Sequence, residues 1–269
     1  MNKVKFVLLT AGILLALAFT FGCSSDSDTG TNATFVDSRD GKSYKYVKIG
    51  EQVWMAENLN YNAKRSKCYN DSTANCAKYG RLYYWLTAMG INAYEEWGES
   101  DVKHQGICPN GWHIPNNDDW LKLRSYVESN SGCRSCAGKH LKSKSGWNYK
   151  YNEYMDETSG NGTDEFGFSA LPGGWGNIID GFSDVDDLGF TKYDADFGFS
   201  EVGYFGSWWS STVKVFTSEV IIAEDITTEE MFLFSDLFIS YDNDNASVSG
   251  YGDGSYENYD LRSVRCLQD

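Results

Sequence analysis

The sequence predicts an α+β fold, with two to three short helices against a small twisted antiparallel sheet and a loop-rich second half. Three observations carry that prediction. Helical periodicity is confined to residues 80–143, short β-favouring runs occupy the rest, and six cysteines are spaced to staple one globule. Strands do not alternate with helices, which argues against a βαβ architecture.

The first elements read as β structure. Tyr44 to Ile49 and Gln52 to Met55 flank the turn signal Gly50-Glu51, and Asp40-Gly41 marks an earlier turn, so residues 35–59 form a hairpin or meander. Tyr61 to Lys78 reads as a polar loop. Gly80 to Met89 follows as a helix, because Leu82, Trp85, Leu86 and Met89 recur at helical spacing and Gly90 suits a C-terminal cap.

The stretch Cys108-Pro109-Asn110-Gly111-Trp112-His113-Ile114-Pro115-Asn116-Asn117-Asp118-Asp119-Trp120 organises the chain. Its prolines keep the backbone extended. Asn116 or Asn117 then caps a helix running from about Asp118 to Ser129, with Trp120, Leu123 and Val127 on its inner face. A third short helix covers Ala137 to Ser143. From Gly146 onward glycine, aspartate, asparagine and aromatics dominate. Short strand candidates there are 166–168, Gly206 to Val213, Glu219 to Ala223, Met231 to Ser240, Ala246 to Tyr251 and Leu261 to Leu267.

The N-terminus carries an address. Lys3 and Lys5 precede an apolar run from Val7 to Phe21 that ends at Gly22-Cys23-Ser24. Residues 1–22 resemble a bacterial lipoprotein signal peptide, which implies lipidation of Cys23 and an envelope location, with Ser24 favouring the outer membrane. Residues 23–34 form a polar tether with little to bury, and residues 35–269 form one domain. The formal net charge of −15, from 38 acidic and 23 basic residues, excludes nucleic acid as a partner.

Setting Cys23 aside leaves six cysteines of the seven. An even count in an exported chain reads as three disulfides. Cys68 with Cys76 and Cys133 with Cys136 are local pairs, which leaves Cys108 with Cys266. The chain-entropy estimate is about 5 kcal/mol for that long closure and about 2 kcal/mol for the shortest one. Two other readings are weaker. No strand leads into Cys133-Arg-Ser-Cys136 as a thioredoxin-like redox pair requires. A zinc site from Cys68, Cys76, Cys133 and Cys136 has the wrong spacing in its first pair.

Several motifs occur together: Val47-Lys-Ile-Gly-Glu-Gln-Val-Trp-Met-Ala-Glu-Asn-Leu59, Tyr79-Gly-Arg-Leu-Tyr83, Cys108-Pro-Asn-Gly-Trp-His-Ile-Pro115, Gly173-Gly-Trp175, Trp208-Trp-Ser-Ser-Thr212 and Ser263-Val-Arg-Cys266. In combination they resemble the Fibrobacter succinogenes major paralogous domain, a family of exported proteins and lipoproteins without an established activity. More distantly, the order of helix, Gly-Trp-x-x-Pro, glycine- and tryptophan-rich loops and a late arginine strand is similar to the formylglycine-generating branch of the C-type lectin-like fold. That resemblance implies adjacent domain termini, which a Cys108–Cys266 bridge would suit.

The enzymatic side of the second resemblance does not carry over. Formylglycine generation uses a late cysteine pair, and only Cys266 is late here. The related iron sulfoxide synthases need clustered histidines, whereas this chain has only His104, His113 and His140 at no metal-ligand spacing. His113, between Trp112 and Ile114, reads as a packed residue. Arg265 reads as one half of a structural ion pair with a carboxylate. The expectation is a non-catalytic domain that binds a carbohydrate or protein through the loops of its second half. The alternative is a structural module of the envelope with no small ligand. The candidate ligand-binding residues are Trp175, Tyr204, Trp208 and Tyr256, drawn from an aromatic set that also includes Tyr149, Tyr151 and Tyr154. Trp208 and Trp209 are neighbours on a strand and point to opposite faces, so at most one is expected to be exposed. No cofactor is expected beyond a possible loop calcium at Asp242 and Asp244.

Overall fold

A computed structural model of the 269-residue chain describes residues 33–92, 103–151, 154–180, 196–222, 225–249 and 260–269. The signal segment, Cys23, Tyr256 and the whole acidic run from Asp184 to Asp194 lie outside the described residues. The chain folds as α+β, with four α-helices and several small, mostly antiparallel sheets among the described residues.

The N-terminal strands are β1 (Thr34–Val36), β2 (Ser43–Ile49) and β3 (Gln52–Met55). They form the predicted meander, with Val47 opposite Trp54 and Gly50 turning between β2 and β3 at positive φ. After β4 (Ser66–Lys67) and a 3-10 turn, the segment expected as loop contains helix α1 (Thr73–Tyr79). Helix α1 carries Cys76 back toward Cys68, and the two form a disulfide. The helix predicted over residues 80–89 is shortened. Its first part is strand β5 (Leu82–Tyr83), and only α2 (Trp85–Met89) is helical, ending at Gly90 in the left-handed region. The periodic pattern was real on its face, yet Leu82 and Tyr83 pair with strands on both sides. Tertiary pairing outweighs local propensity there.

Strand β6 (Trp112–His113) leads into α3 (Asn117–Ser131). Asn116 is the cap: its side chain accepts from the Asp119 amide while Asp119 reaches back to the Asn116 amide. Trp120, Leu123 and Val127 are the buried face of α3, as its spacing predicts. Helix α4 (Ala137–Leu141) follows.

In the second half come β7 (Tyr149–Tyr151), β8 (Glu157–Ser159), β9 (Trp175–Asp180) and β10 (Asp196–Ser200), paired as two short hairpins. Residues 166–168 are not a strand; Phe168 is instead buried in the core. The strands expected as separate pieces from Gly206 to Ala223 merge into β11 (Phe205–Ile222), which pairs along its length with β12 (Asp225–Ser240). Among the described residues the second half therefore holds more strand than expected. The polar residues between the apolar runs do not interrupt the ladder, because backbone pairing continues through Lys214–Leu233 to Ile222–Asp225. Strands β13 (Ala246–Ser249), β14 (Arg262–Ser263) and β15 (Leu267–Gln268) complete the described elements.

Strand order explains how the core is divided. One sheet runs β1-β2-β3-β15-β6, so the first and last strands of the domain share it; another runs β13-β12-β11-β14-β5-β4. Successive residues on a strand face opposite ways. Trp209 packs in one apolar cluster with Met55, Trp85, Trp112, Val264 and Cys266, while Trp208 packs in a second with Trp54, Trp120, Phe168, Leu237 and Leu267. Both faces are covered, so both tryptophans are buried, at 0% and 3% exposure. The expectation that they face opposite ways holds; the allowance for one exposed ring was unnecessary.

A register shift between Trp209 and Val213 makes Ser210–Thr212 bulge from β11. The bulge grips the organising stretch. The Ser211 amide donates to the Pro115 carbonyl, the Asn117 amide donates to Thr212 Oγ1, and Trp85 Nε1 donates to the Ser210 carbonyl. Cys108 and Cys266 are bonded across a separation of 158 residues, with both sulfurs in the first apolar cluster.

Candidate binding surface

The buried centre of the molecule is polar. Arg265 is fully buried, and its hydrogen bonds among the described residues go to Asn58 and to backbone carbonyls rather than to a carboxylate, which corrects the ion-pair expectation. Its guanidinium donates to Asn58 Oδ1 through Nε at 3.1 Å and Nη2 at 2.5 Å, and to the carbonyls of Phe168 and Ser169. It also lies 4.4 Å from the centre of the Phe168 ring. Trp208 Nε1 donates to the same Asn58 oxygen at 2.7 Å, and Asn58 Nδ2 donates to the Tyr79 carbonyl. Each of its three nitrogens donates to an oxygen, so this cation is held by neutral acceptors rather than by a paired carboxylate. Trp208 is committed to this network and is removed from the ligand-binding candidates, since no ligand reaches a residue covered on both sides.

The exposed aromatic surface lies elsewhere in the second half. Tyr149 and Tyr151, two apart on β7, are 63% and 66% exposed, while Lys150 between them turns inward and pairs with Asp244 at 3.1 Å. Tyr154 and Met155 lie between β7 and β8 and are 76% and 75% exposed. A hydrogen bond anchors this hairpin to the segment before β11, and that segment is bonded in turn to the one after β12. The Asn148 amide donates to the Gly203 carbonyl, and the Tyr241 amide donates to the Tyr204 carbonyl. Tyr204 is exposed and edge-on to Tyr241, with ring centres 5.0 Å apart. Two close approaches explain the glycines: a Cβ on Gly160 would sit 2.2 Å from the Asn148 carbonyl oxygen, and one on Gly203 would meet the Asn148 side chain.

Of the candidate ligand-binding residues that the structure describes, Tyr204 is exposed, Trp175 is half-buried and Trp208 is buried; Tyr256 lies outside the described residues. The exposed rings are mainly those of the β7–β8 hairpin. The signal that would have found them is the alternation Tyr149-Lys150-Tyr151, a two-residue period with aromatics on one side.

The calcium candidates lie in a loop already filled by a cation. Lys142 is 1% exposed, and its Nζ donates to the carbonyls of Ser240 at 3.0 Å, Tyr241 at 3.4 Å and Asn243 at 2.9 Å. Asp244 is engaged by Lys150, and Asp242 accepts from Ser240 Oγ. Burial, and then the neighbouring Lys150 charge, push the Lys142 amine down to about 8, against the opposing pull of Asp244 and Asp242. Asp244 is itself held below the usual carboxylate range: burial raises it, and its bond to Lys150 more than compensates. The loop carbonyls that a calcium ion would need face this ammonium.

His113 is buried, as expected, with Nδ1 2.8 Å from Asp269 and Nε2 3.6 Å from Asp119. His140 lies near Cys133 and Cys136, so the three-residue cluster excludes Cys68 and Cys76, unlike the four-cysteine zinc reading. No helix among the described residues is long and apolar enough to cross a membrane.

These features define a disulfide-tied α+β domain in which Arg265, Asn58 and Trp208 bond to one another, and whose most exposed rings among the described residues sit on one hairpin. The family model described as the Fibrobacter succinogenes major domain matches residues 47–268, and the chain belongs to that family. No curated protein matches it, and no solved structure does.

Proposed function

We propose that this chain is a non-catalytic, lipid-anchored envelope protein that binds a neutral carbohydrate through the tyrosines of the β7–β8 hairpin. The observation that carries the reading is the solvent-facing pair Tyr149 and Tyr151, flanked by Tyr154 and Tyr204. Tyrosine offers an apolar ring face and a hydroxyl together, which suits stacking on a sugar and bonding to its hydroxyls. A net charge of −15 disfavours anionic ligands and leaves neutral ones. Because Lys142 fills the loop at Asp242 and Asp244, binding needs no calcium.

A C-type lectin-like architecture fits this reading. The first and last strands share a sheet, and a covalent bridge ties Cys108 to the C-terminal segment. Lipidation at Cys23 and residence at the outer membrane fit the leader sequence and place the domain on a short tether. Protein partners and a purely structural envelope role are the competing outcomes.

The test is a glycan and polysaccharide array probed with the purified chain, with calcium and with chelator. Retention on neutral glycans, equal in both conditions and lost in Tyr149→Ala/Tyr151→Ala, is the expected result. No retention on any glycan would overturn the carbohydrate reading.

A further inference from the structure

We propose that Cys133, Cys136 and His140 form a site for a soft divalent metal, zinc above all, when the Cys133–Cys136 bridge is reduced. The site is independent of the tyrosine surface and of any carbohydrate.

Local structure brings the three residues together. Gly132 ends α3 in the left-handed region and turns the chain, so Cys133 follows the long helix directly. Cys136 caps α4, and His140 is four residues on, which puts both on one face of that turn. The Sγ atoms and a histidine nitrogen all lie within 4.8 Å of one another.

The histidine is oriented for ligation. Its Nδ1 is 2.6 Å from Glu165 Oε2 and 3.4 Å from Thr163 Oγ1, which leaves Nε2 facing Cys133 Sγ at 3.8 Å. A carboxylate fixing one imidazole nitrogen while the other meets the metal is the recurrent outer arrangement of zinc sites. Zn–S near 2.3 Å and Zn–N near 2.0 Å at a tetrahedral angle imply an N···S edge of about 3.5 Å. The His140–Cys133 edge is therefore nearly in place. The sulfur–sulfur edge must open to about 3.8 Å by the same geometry once the bridge is broken, and the third edge starts within 4.8 Å.

Access and a fourth position are also present. A surface hollow lined by Ser125, Glu128, Ser129, Gly132, Cys133 and Arg134 adjoins the site, so water or the Glu128 carboxylate can complete the coordination. Cys133 is half-exposed, whereas Cys68, Cys76, Cys108 and Cys266 are all buried. A reductant thus reaches the Cys133–Cys136 bridge first. The chemistry balances: a dithiol or phosphine supplies two electrons, the disulfide becomes two thiols with uptake of two protons, and metal binding releases those protons as the thiolates coordinate.

The experiment uses the purified full chain treated with limiting phosphine, with free thiols located by alkylation and mass spectrometry. Two thiols, at Cys133 and Cys136, are expected, followed by binding of one cobalt(II) or zinc(II) ion per chain. Cobalt(II) should give thiolate-to-metal charge-transfer absorption. Glu165→Gln, on an exposed side chain, should weaken metal affinity roughly 10- to 100-fold. His140→Ala should weaken it further, with the circular dichroism of both variants unchanged. The proposal is overturned if the reduced chain with both thiols counted takes up no metal, or if the folded His140→Ala chain binds as tightly as the original.

Discussion

Two regions are equally rich in aromatic rings and use them in opposite ways. Around Arg265, Trp54, Trp120, Phe168 and Trp208 are each 0% exposed, with Trp54 stacked on Trp120 at 4.6 Å. On the β7–β8 hairpin, Tyr149, Tyr151 and Tyr154 are each more than 60% exposed. Composition does not separate the two groups; covering does. The β11 face holding Trp208 has layers on both sides, whereas no described residue covers the outer face of β7. The buried set should govern stability, and the exposed set should govern binding.

The largest stability effect should come from Arg265. Arg265→Met removes the donors to the Phe168 and Ser169 carbonyls and leaves Asn58 Oδ1 with Trp208 alone, and should cost about 1–3 kcal/mol for each buried acceptor left unpaired, read by chemical denaturation. A loss below about 1 kcal/mol would show that the polar centre is dispensable. Next comes the long bridge. Replacing Cys108 and Cys266 together by serine should cost about 2–5 kcal/mol, read the same way.

Lys142→Met should cost about 1–3 kcal/mol by leaving the loop carbonyls without their donor. Its pH dependence has a definite sign. The folded amine is lowered to about 8 from the ordinary lysine value of 10.5, so between those values the unfolded chain holds more protons. Stability of the original chain relative to Lys142→Met should therefore rise as pH goes from about 8 to about 10.5, with no differential slope below that window. A falling difference would contradict the burial argument. The smallest effect should be the helix cap: Asn116→Ala should cost about 1 kcal/mol and leave ligand retention unchanged.

Much of the first half was legible in the sequence because its signals are local. The Asn116 cap, the inner face of α3 and the turn at Gly50 each depend on residues within one turn of one another. The cysteine pairs followed from spacing and count. What escaped were features fixed at long range. Leu82 and Tyr83 joined a sheet through partners at Ser66 and Arg262, which no helical pattern reveals. Arg265 found Asn58 in place of a carboxylate across 207 positions of sequence. The length of β11 depends on its partner β12, so polar residues inside it read wrongly as links. The candidate surface was only half legible: the aromatics were visible, but their exposure depends on which layers cover them. Tyr204 was named for the surface, and Trp208 was mistaken for part of it.

The most direct measurement is glycan retention by Tyr149→Ala/Tyr151→Ala beside Trp175→Ala, with thermal unfolding followed on each. The tyrosine variant should keep its melting temperature and lose retention at least about tenfold, the equivalent of roughly 0.7 kcal/mol per ring. If retention persists in the tyrosine variant, or falls only when the fold itself is lost, the exposed hairpin is not where this protein meets its ligand.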